Sequence, residues 1–357
     1  MKDWRASLVA VSLVAVSLAI APVSVAAAPN EDGEEIPPQE AAAIEEVRQL
    51  IRTQVQADAT KEGRAFRDAH RKHHGCVRAR FAVKDGLAPQ LRQGLFGKPQ
   101  TYSAIVRYSN GSGRVDDDHD GDGRGMAVKL LGVTGERNIA DADDETASQD
   151  FVMVNHPVFF VRNAEKYIGF QKAAQSNVLL WVFNPVRFFH EGLIGLSILM
   201  TRMTNPLDAT YFSMVPSKLG ATQMKFRATP CPGSQLQSPS DSRDRLRENM
   251  AASLSASPAC FLFQVQRRSD PDKMPIEDPT IEWKESIAPF ETVAEITIPA
   301  QKPELGEACE AISYNPWNGL RDHRPLGGIS RTRKEVYQTI SRIRHELNNQ
   351  KREVPAF

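Results

Sequence analysis

The spacing of apolar residues along the chain changes period at Gly75. Between Glu40 and Arg71 apolar positions recur every three to four residues, at Ile44, Val47, Ile51 and Val55 and then at Phe66 and Ala69. That spacing lays one stripe of an amphipathic helix against a core. After Gly75 the period drops to two. VRARFAV and SAIVRYS alternate, while GMAVKLLGV and DFVMVNHPVFFV are rich in β-branched and aromatic residues and are bounded by Gly, Asp or Asn, so each reads as a strand. Residues 164–222 read as helices and connectors, and further strands are expected at 223–229, 259–268, 278–284 and 291–299. A proline- and glycine-bearing connector opens the last segment, 301–357, and leads into a helix from about Ser330 to Asn349. No internal repeat is present. Strands with helices at both ends predict an α+β fold around one antiparallel sheet closed as a barrel.

Composition adds limits. The 357 residues carry 44 basic and 44 acidic side chains, so no overall field draws the protein onto nucleic acid. At the N-terminus Lys2 and Arg5 precede the apolar run LVAVSLVAVSLAIAPVSV and the small residues of VAAAP. That order predicts a secretory signal over residues 1–28, cleaved near Ala28, and hence a periplasmic or secreted protein. Residues 29–42 are acidic and proline-bearing, as a flexible arm would be, and the arm with the start of the first helix spans 29–60. The apolar stretch from Leu179 to Met200 is interrupted by Asn184, Pro185 and charges, which argues against stable membrane insertion. Cys76, Cys231, Cys260 and Cys309 form no CxxC pair, so a structural zinc site is not expected. An oxidising compartment permits disulfides, but spacing leaves open both the pairs and whether they form.

Three segments carry candidate chemistry. On the last helix Arg333, Tyr337, Ser341 and Arg344 follow at intervals of four, four and three, which places them on one face. A guanidinium near a phenol oxygen favours the phenolate, and a phenolate can bind ferric iron. Taken alone, these residues fit an ordinary amphipathic helix better. In AFRDAHRKHHGC, His70 and His74 have the i, i+4 spacing of helical zinc sites, yet no third ligand accompanies them, and a basic helix end is the simpler reading. The run VDDDHDGDGRG starts like a calcium loop at Asp116, Asp118, Asp120 and Gly121 but lacks the closing Glu, so an EF-hand is rejected.

In chain order, these segments resemble the haem catalases. The family carries Arg-x-x-His, then Val-Arg-Phe-Ser, Arg-Gly-Phe-Ala-Val-Lys and Thr-Pro-Val-Phe-Phe-Ile-Arg; here stand RDAH, VRYS, RGMAVK and HPVFFVR. Its C-terminal Arg-x-x-x-Tyr-x-x-x-x-Arg-x-Arg is matched by Arg333, Tyr337, Arg342 and Arg344, and SYNPWNGLRDHRPLG is similar to the connector that precedes it. The resemblance runs from about Arg67 to Arg344 and is weak between roughly 170 and 290.

What the resemblance implies is specific. The fold would be a barrel of about eight strands over residues 61–300, with a helical insertion around 164–222, followed by a wrapping connector and haem-ligand helix over 301–357. The cofactor would be haem, an iron protoporphyrin of b type, with Tyr337 as axial ligand and Arg333 stabilising its phenolate. His70 would be the distal acid and base, oriented by Ser109. Arg67, Arg107 and Arg344 would face the propionates, and Phe159 and Tyr167 would lie against the porphyrin, Tyr167 replacing a phenylalanine. The implied activity is decomposition of hydrogen peroxide through a ferryl intermediate. Turnover of organic hydroperoxides and haem binding without turnover are the alternatives.

Departures qualify this picture. The family's distal asparagine aligns with Val154. Asn155 is the remaining candidate, but neighbours on a regular strand point to opposite faces, so it would need a local bulge to serve the pocket. The segment after His70 is one residue longer than the family's and brings His74 and Cys76 near the distal side. The chain is also shorter than typical catalases, from which a monomer or dimer is expected.

Overall fold

A computed structural model describes residues 29–138, 147–174 and 189–351; the expected signal segment lies outside them. The first helix, α1 (Glu40–Glu62), buries Val47, Ile51 and Val55 as the pattern requires. It stops at Glu62, short of the Arg71 expected from periodicity, because Gly63 adopts a left-handed φ of 75° and caps it. Phe66 therefore lies beyond the helix, where the guanidinium of Arg71 sits 3.9 Å from its ring centroid. The acidic arm is also not free. Asp32 pairs with Lys218 and Arg324, Glu34 with Arg324 and Arg331, and Glu40 with Arg331. Arginines in the C-terminal part of the chain thus supply the partners that composition alone cannot show.

Nine strands follow in the described residues: β1 (His73–Val83), β2 (Thr101–Asn110), β3 (Arg124–Leu131), β4 (Ser148–Val154), β5 (Tyr211–Phe212), β6 (Ser217–Leu219), β7 (Thr222–Pro230), β8 (Ala259–Arg267) and β9 (Phe290–Ile298). Their order is β5-β4-β3-β2-β1-β9-β8-β7-β6, all antiparallel, and pairing of β5 with β7 closes eight of them into a barrel with β6 outside the ring. Alternation explains the filling. Val77, Ala79 and Phe81 of β1, Ala104, Val106 and Tyr108 of β2, and Met126, Val128 and Leu130 of β3 share one buried cluster. At its centre Phe263 lies 4.7 Å from Phe151, 5.1 Å from Phe81 and 5.5 Å from Phe226 between ring centroids. Such rings contribute about 1.5–3 kcal/mol each through burial.

Two strand expectations need correction. The fourth strand ends at Val154 because the chain turns at Asn155–Pro157, where proline cannot donate to a ladder. Residues 278–284 form turns instead of a strand: Asp278 Oδ1 accepts from the Thr280 amide at 3.1 Å, and the apolar character there reflects the buried Trp283. Within 164–222 the helices α2 (Ala164–Ala174) and α3 (Phe189–Leu199) are followed by the unanticipated short strands β5 and β6. Further helices are α4 (Arg245–Ala256), α5 (Glu307–Ala311) and α6 (Gly328–Leu347). Among the described residues no helix is long and apolar enough to cross a membrane.

The long last helix packs Val336, Ile340 and Ile343 against α1, with Tyr167 and Ile168 of α2 completing the contact. The adjoining face carries Arg333, Tyr337 and Arg344, the last of which reaches α5. Two disulfides form, Cys231–Cys260 between β7 and β8 and Cys76–Cys309 between β1 and α5. The second joins residues 233 positions apart, so it removes a large loop from the unfolded ensemble. Replacing it through Cys309→Ser should cost about 2–5 kcal/mol in denaturant unfolding. The gap to wild type should close when both proteins are reduced.

Candidate functional site

The site forms where β2 and β4 end and β3 begins, beside the segment leading into β1. Ser109, Gly125 and Val154 are direct cross-strand partners in one row. Partners in a row point to the same face. Gly125 is required there: a Cβ would stand 2.6 Å from His70 Nδ1 and 2.8 Å from Ser109 Oγ. The His70 ring thus occupies the space that the missing side chain leaves.

His70 itself is not helical. Its φ is 59°, a conformation rare for a residue with a side chain and one that concentrates at functional sites. The backbone is held by His70 N donating to Gly111 O at 3.1 Å and by Arg107 Nη2 donating to His70 O at 2.9 Å. Nδ1 lies 2.9 Å from Asn110 O and 3.1 Å from Ser109 Oγ. A carbonyl can only accept, so Nδ1 carries the hydrogen and Nε2 keeps its lone pair. Burial, helped by the charge of Arg107, holds the imidazole down at about 4. The ring is neutral at pH 7 and able to take a proton.

The three histidines of the HRKHH segment do not converge. His73 begins β1, with Nδ1 3.7 Å from Cys309 Sγ, and His74 Nε2 meets Asn110 Oδ1 at 2.9 Å. The helical i, i+4 face considered for zinc is absent because β1 starts at His73. Among the described residues one His/Cys/Asp/Glu cluster has metal-like spacing, Cys231, Cys260 and Glu295, and both its sulfurs are in a disulfide. The acidic run has a different task. Asp118 is fully buried, pairs with Lys72 Nζ at 2.8 Å and accepts from Asn110 Nδ2 at 3.1 Å, which braces the strand end that orients His70.

Asn155 is not brought to this face. Its Oδ1 accepts from the Arg124 amide at 2.6 Å and its own amide donates to Arg124 O at 2.9 Å, so it closes the β3–β4 ladder. Val154 instead joins a buried apolar cluster with Phe159, Val161, Met214, Val215 and Ile329, against which Phe160, Tyr167 and Phe170 pack. The rings of Phe159 and Tyr167 meet edge to face at 6.0 Å. Burial, then the charges of Asp68 and Tyr337, raise the Tyr167 phenol well above its usual value, so it stays neutral.

On α6, Arg333 Nη2 donates to the Tyr337 hydroxyl at 3.3 Å, with its guanidinium 5.3 Å from the ring centroid. Arg333 is buried, and its charge contributes to depressing His70, so the two sides of the site sense one another electrostatically.

Arg67, Arg107 and Arg344 converge, and sequence reasoning missed the residue they meet. Glu310 of α5 pairs with Arg67, lies 3.7 Å from Arg107 Nη2 and 3.9 Å from Arg344 Nη1, and its carbonyl accepts from Arg344 Nη1 at 2.5 Å. Burial works against this carboxylate, but the three arginines outweigh it and hold the group at about 2. The Nε of Arg107 is buried without a hydrogen-bond partner. An orphaned cationic donor on the arginine that holds the His70 carbonyl, and a glycine that admits the imidazole, suit an anionic planar ligand such as haem.

The closed antiparallel barrel with helices around it defines a catalase-like fold. Solved structures similar to the chain include a fungal catalase, with 16% identity and a TM-score of 0.64 over 81% of this chain and 61% of that one. Catalase A from Saccharomyces cerevisiae is similar at 18% identity and a TM-score of 0.65, over 85% of this chain and 67% of that one. A bacterial catalase matches at 17% identity and a TM-score of 0.62, over 82% of this chain and 60% of its own length. The chain thus spans 60–67% of the length of these proteins. No family model and no curated protein sequence matches it.

Burial also depresses His73 and His323 to about 4 and lowers His74. Each is neutral in the fold, while its unfolded counterpart protonates near 6.5. Their stabilisation is complete above that pH and is lost as pH falls toward 4. The melting temperature should therefore drop between pH 7 and pH 4.5, and a flat profile would show that these rings are charged when folded.

Proposed function

We propose that the chain is a haem-dependent, peroxide-consuming oxidoreductase of the catalase superfamily. The observation that carries this reading is His70: a neutral imidazole, fixed through Nδ1 by Asn110 O and Ser109, and close enough to feel the charge of Arg333, the arginine that donates to the Tyr337 hydroxyl. Tyr337 would hold the iron, Arg67, Arg107 and Arg344 would take the carboxylates, and Phe159 with Tyr167 would flank the ring. Haem, when bound, supplies the redox-active iron that accepts the oxidising equivalents of peroxide. His70 Nε2 takes the proton from one peroxide oxygen and returns it to the other, so that water leaves instead of hydroxide. Arg333 donates to the Tyr337 oxygen and favours its anionic form.

A second substrate class is favoured by one observation. Val154 occupies the row that faces His70 and continues into an apolar cluster, so the pocket offers an organic hydroperoxide a surface for its carbon chain. Export through residues 1–28 is part of the proposal, and the two disulfides support an oxidising destination. N-terminal sequencing of the protein from the cell envelope should begin near Pro29.

The deciding experiment reconstitutes the full chain with ferric protoporphyrin IX, records the tyrosinate-type absorption spectrum, and adds hydrogen peroxide while oxygen is measured. His70→Ala should slow peroxide consumption about a hundred- to ten-thousandfold with haem content retained. Equal, background-level rates in wild type and variant would mean haem binding without turnover. Val154→Asn should raise oxygen evolution relative to consumption of a fatty-acid hydroperoxide. No change in that ratio would remove Val154 as the determinant of substrate class.

A further inference from the structure

Glu310 stands where the proposed reading needs free arginines. Arg67, Arg107 and Arg344 come from three separate parts of the chain, yet all approach this one carboxylate, which is only 8% exposed. Three clustered guanidiniums, two of them buried and the third half-buried, would repel one another without a counter-ion, so a carboxylate among them is what lets the cluster exist before any ligand arrives. Resting on the haem reading, we propose that Glu310 is an internal occupant of the propionate clamp, serving as counter-ion in the cofactor-free protein and yielding the arginines when porphyrin binds.

Chemical identity supports the exchange. The Glu310 carboxylate and a propionate are the same functional group and seek the same planar donor forks. Only the side chain has freedom to yield. The Glu310 backbone is fixed because its carbonyl accepts from Arg67 Nη2 at 3.1 Å and Arg344 Nη1 at 2.5 Å. The neighbouring Cys309 is tied to β1 by the disulfide with Cys76. The charges also permit the exchange: once Glu310 has yielded, the three guanidiniums outnumber the two propionates that replace it, so each propionate still meets a cation. Arg107 is the natural entry point, since its Nε lacks a partner and its Nη2 lies 3.7 Å from Glu310 Oε2.

Linkage fixes the sign of the effect. A group that stabilises the cofactor-free form more than the loaded form lowers ligand affinity by the same factor. Glu310→Gln in the full chain should therefore bind ferric protoporphyrin IX about tenfold more tightly by absorption titration, while its cofactor-free form melts at a lower temperature than wild type. The dimethyl ester of the same porphyrin, which has no propionate charge, should bind wild type and variant equally. Unchanged or weaker protoporphyrin binding by the variant would overturn the proposal, as would an equal gain for the ester, which would indicate relief of crowding instead of competition for arginine. If the glutamine variant does not fold, Glu310→Asp retains the charge with a shorter reach and should tighten protoporphyrin binding in the same direction; no tightening overturns the proposal. Failure of wild type to bind either porphyrin would overturn the haem reading itself.

Discussion

The ion cluster at Glu310 is the constraint that sets the geometry of the site. Arg67 arrives from the segment between α1 and β1, Arg107 from β2, Arg344 from the far end of α6, and the carboxylate from α5. Each charge is tolerable in the interior because the others are present, and removing one member of such a cluster typically costs about 3–5 kcal/mol. Four stretches remote in sequence are therefore fixed together. With Arg344 hydrogen-bonded to α5 and Val336, Ile340 and Ile343 packed on α1, the rotation of α6 about its axis is determined, and Arg333 and Tyr337 fall on the face adjoining the α1 contact.

His70 illustrates what that fixed frame supports. A left-handed backbone at a side-chain-bearing residue costs on the order of 1–3 kcal/mol. Here it is offset by three hydrogen bonds to the main chain and ring of that one residue, one of them from Arg107, itself a member of the ion cluster. The bracing extends outward from Asn110 to Asp118, then to Lys72, whose Nζ also reaches the carbonyls of Asp116 and Arg243 at 2.9 Å. An acidic run that looks like a cation loop in sequence acts as the buttress of the imidazole.

Much of the barrel is legible in sequence because a closed barrel must fill its interior from alternate residues, which forces period two on β1, β2, β3, β7, β8 and β9. The short strands β5 and β6 are too brief to show any period, although β5 closes the ring. Residues 278–284 misled for a related reason: Trp283 is apolar because it covers Lys225, whose ammonium lies 5.2 Å from the indole, not because the segment is pleated. The end of α1 was signalled by Gly63, but the apolar positions Phe66 and Ala69 continued the spacing beyond it. In the site, the tyrosine, histidine and arginine positions follow from local motifs. Glu310 does not, since a glutamate in a helical segment looks solvent-facing until three arginines are folded around it. Cysteine pairing was equally hidden, because spacing does not encode which strand meets which helix.

Parity within the sheet leaves one position on β4 to decide what the pocket can orient. Ser109, Gly125 and Val154 share a row, so the neighbour Asn155 is committed to the opposite side and spends its amide on Arg124. Of the three residues in the row only Ser109 is polar, and its hydroxyl is turned to His70 Nδ1 at 3.1 Å. On the proposed reading a small peroxide would therefore have His70 as its base but no side-chain amide on β4 to position it. On the same reading a peroxide with its own apolar body would be positioned by Val154 and Phe159 instead. The proposal therefore turns on one side chain, since the valine that withholds an amide from hydrogen peroxide would give a larger substrate its means of orientation.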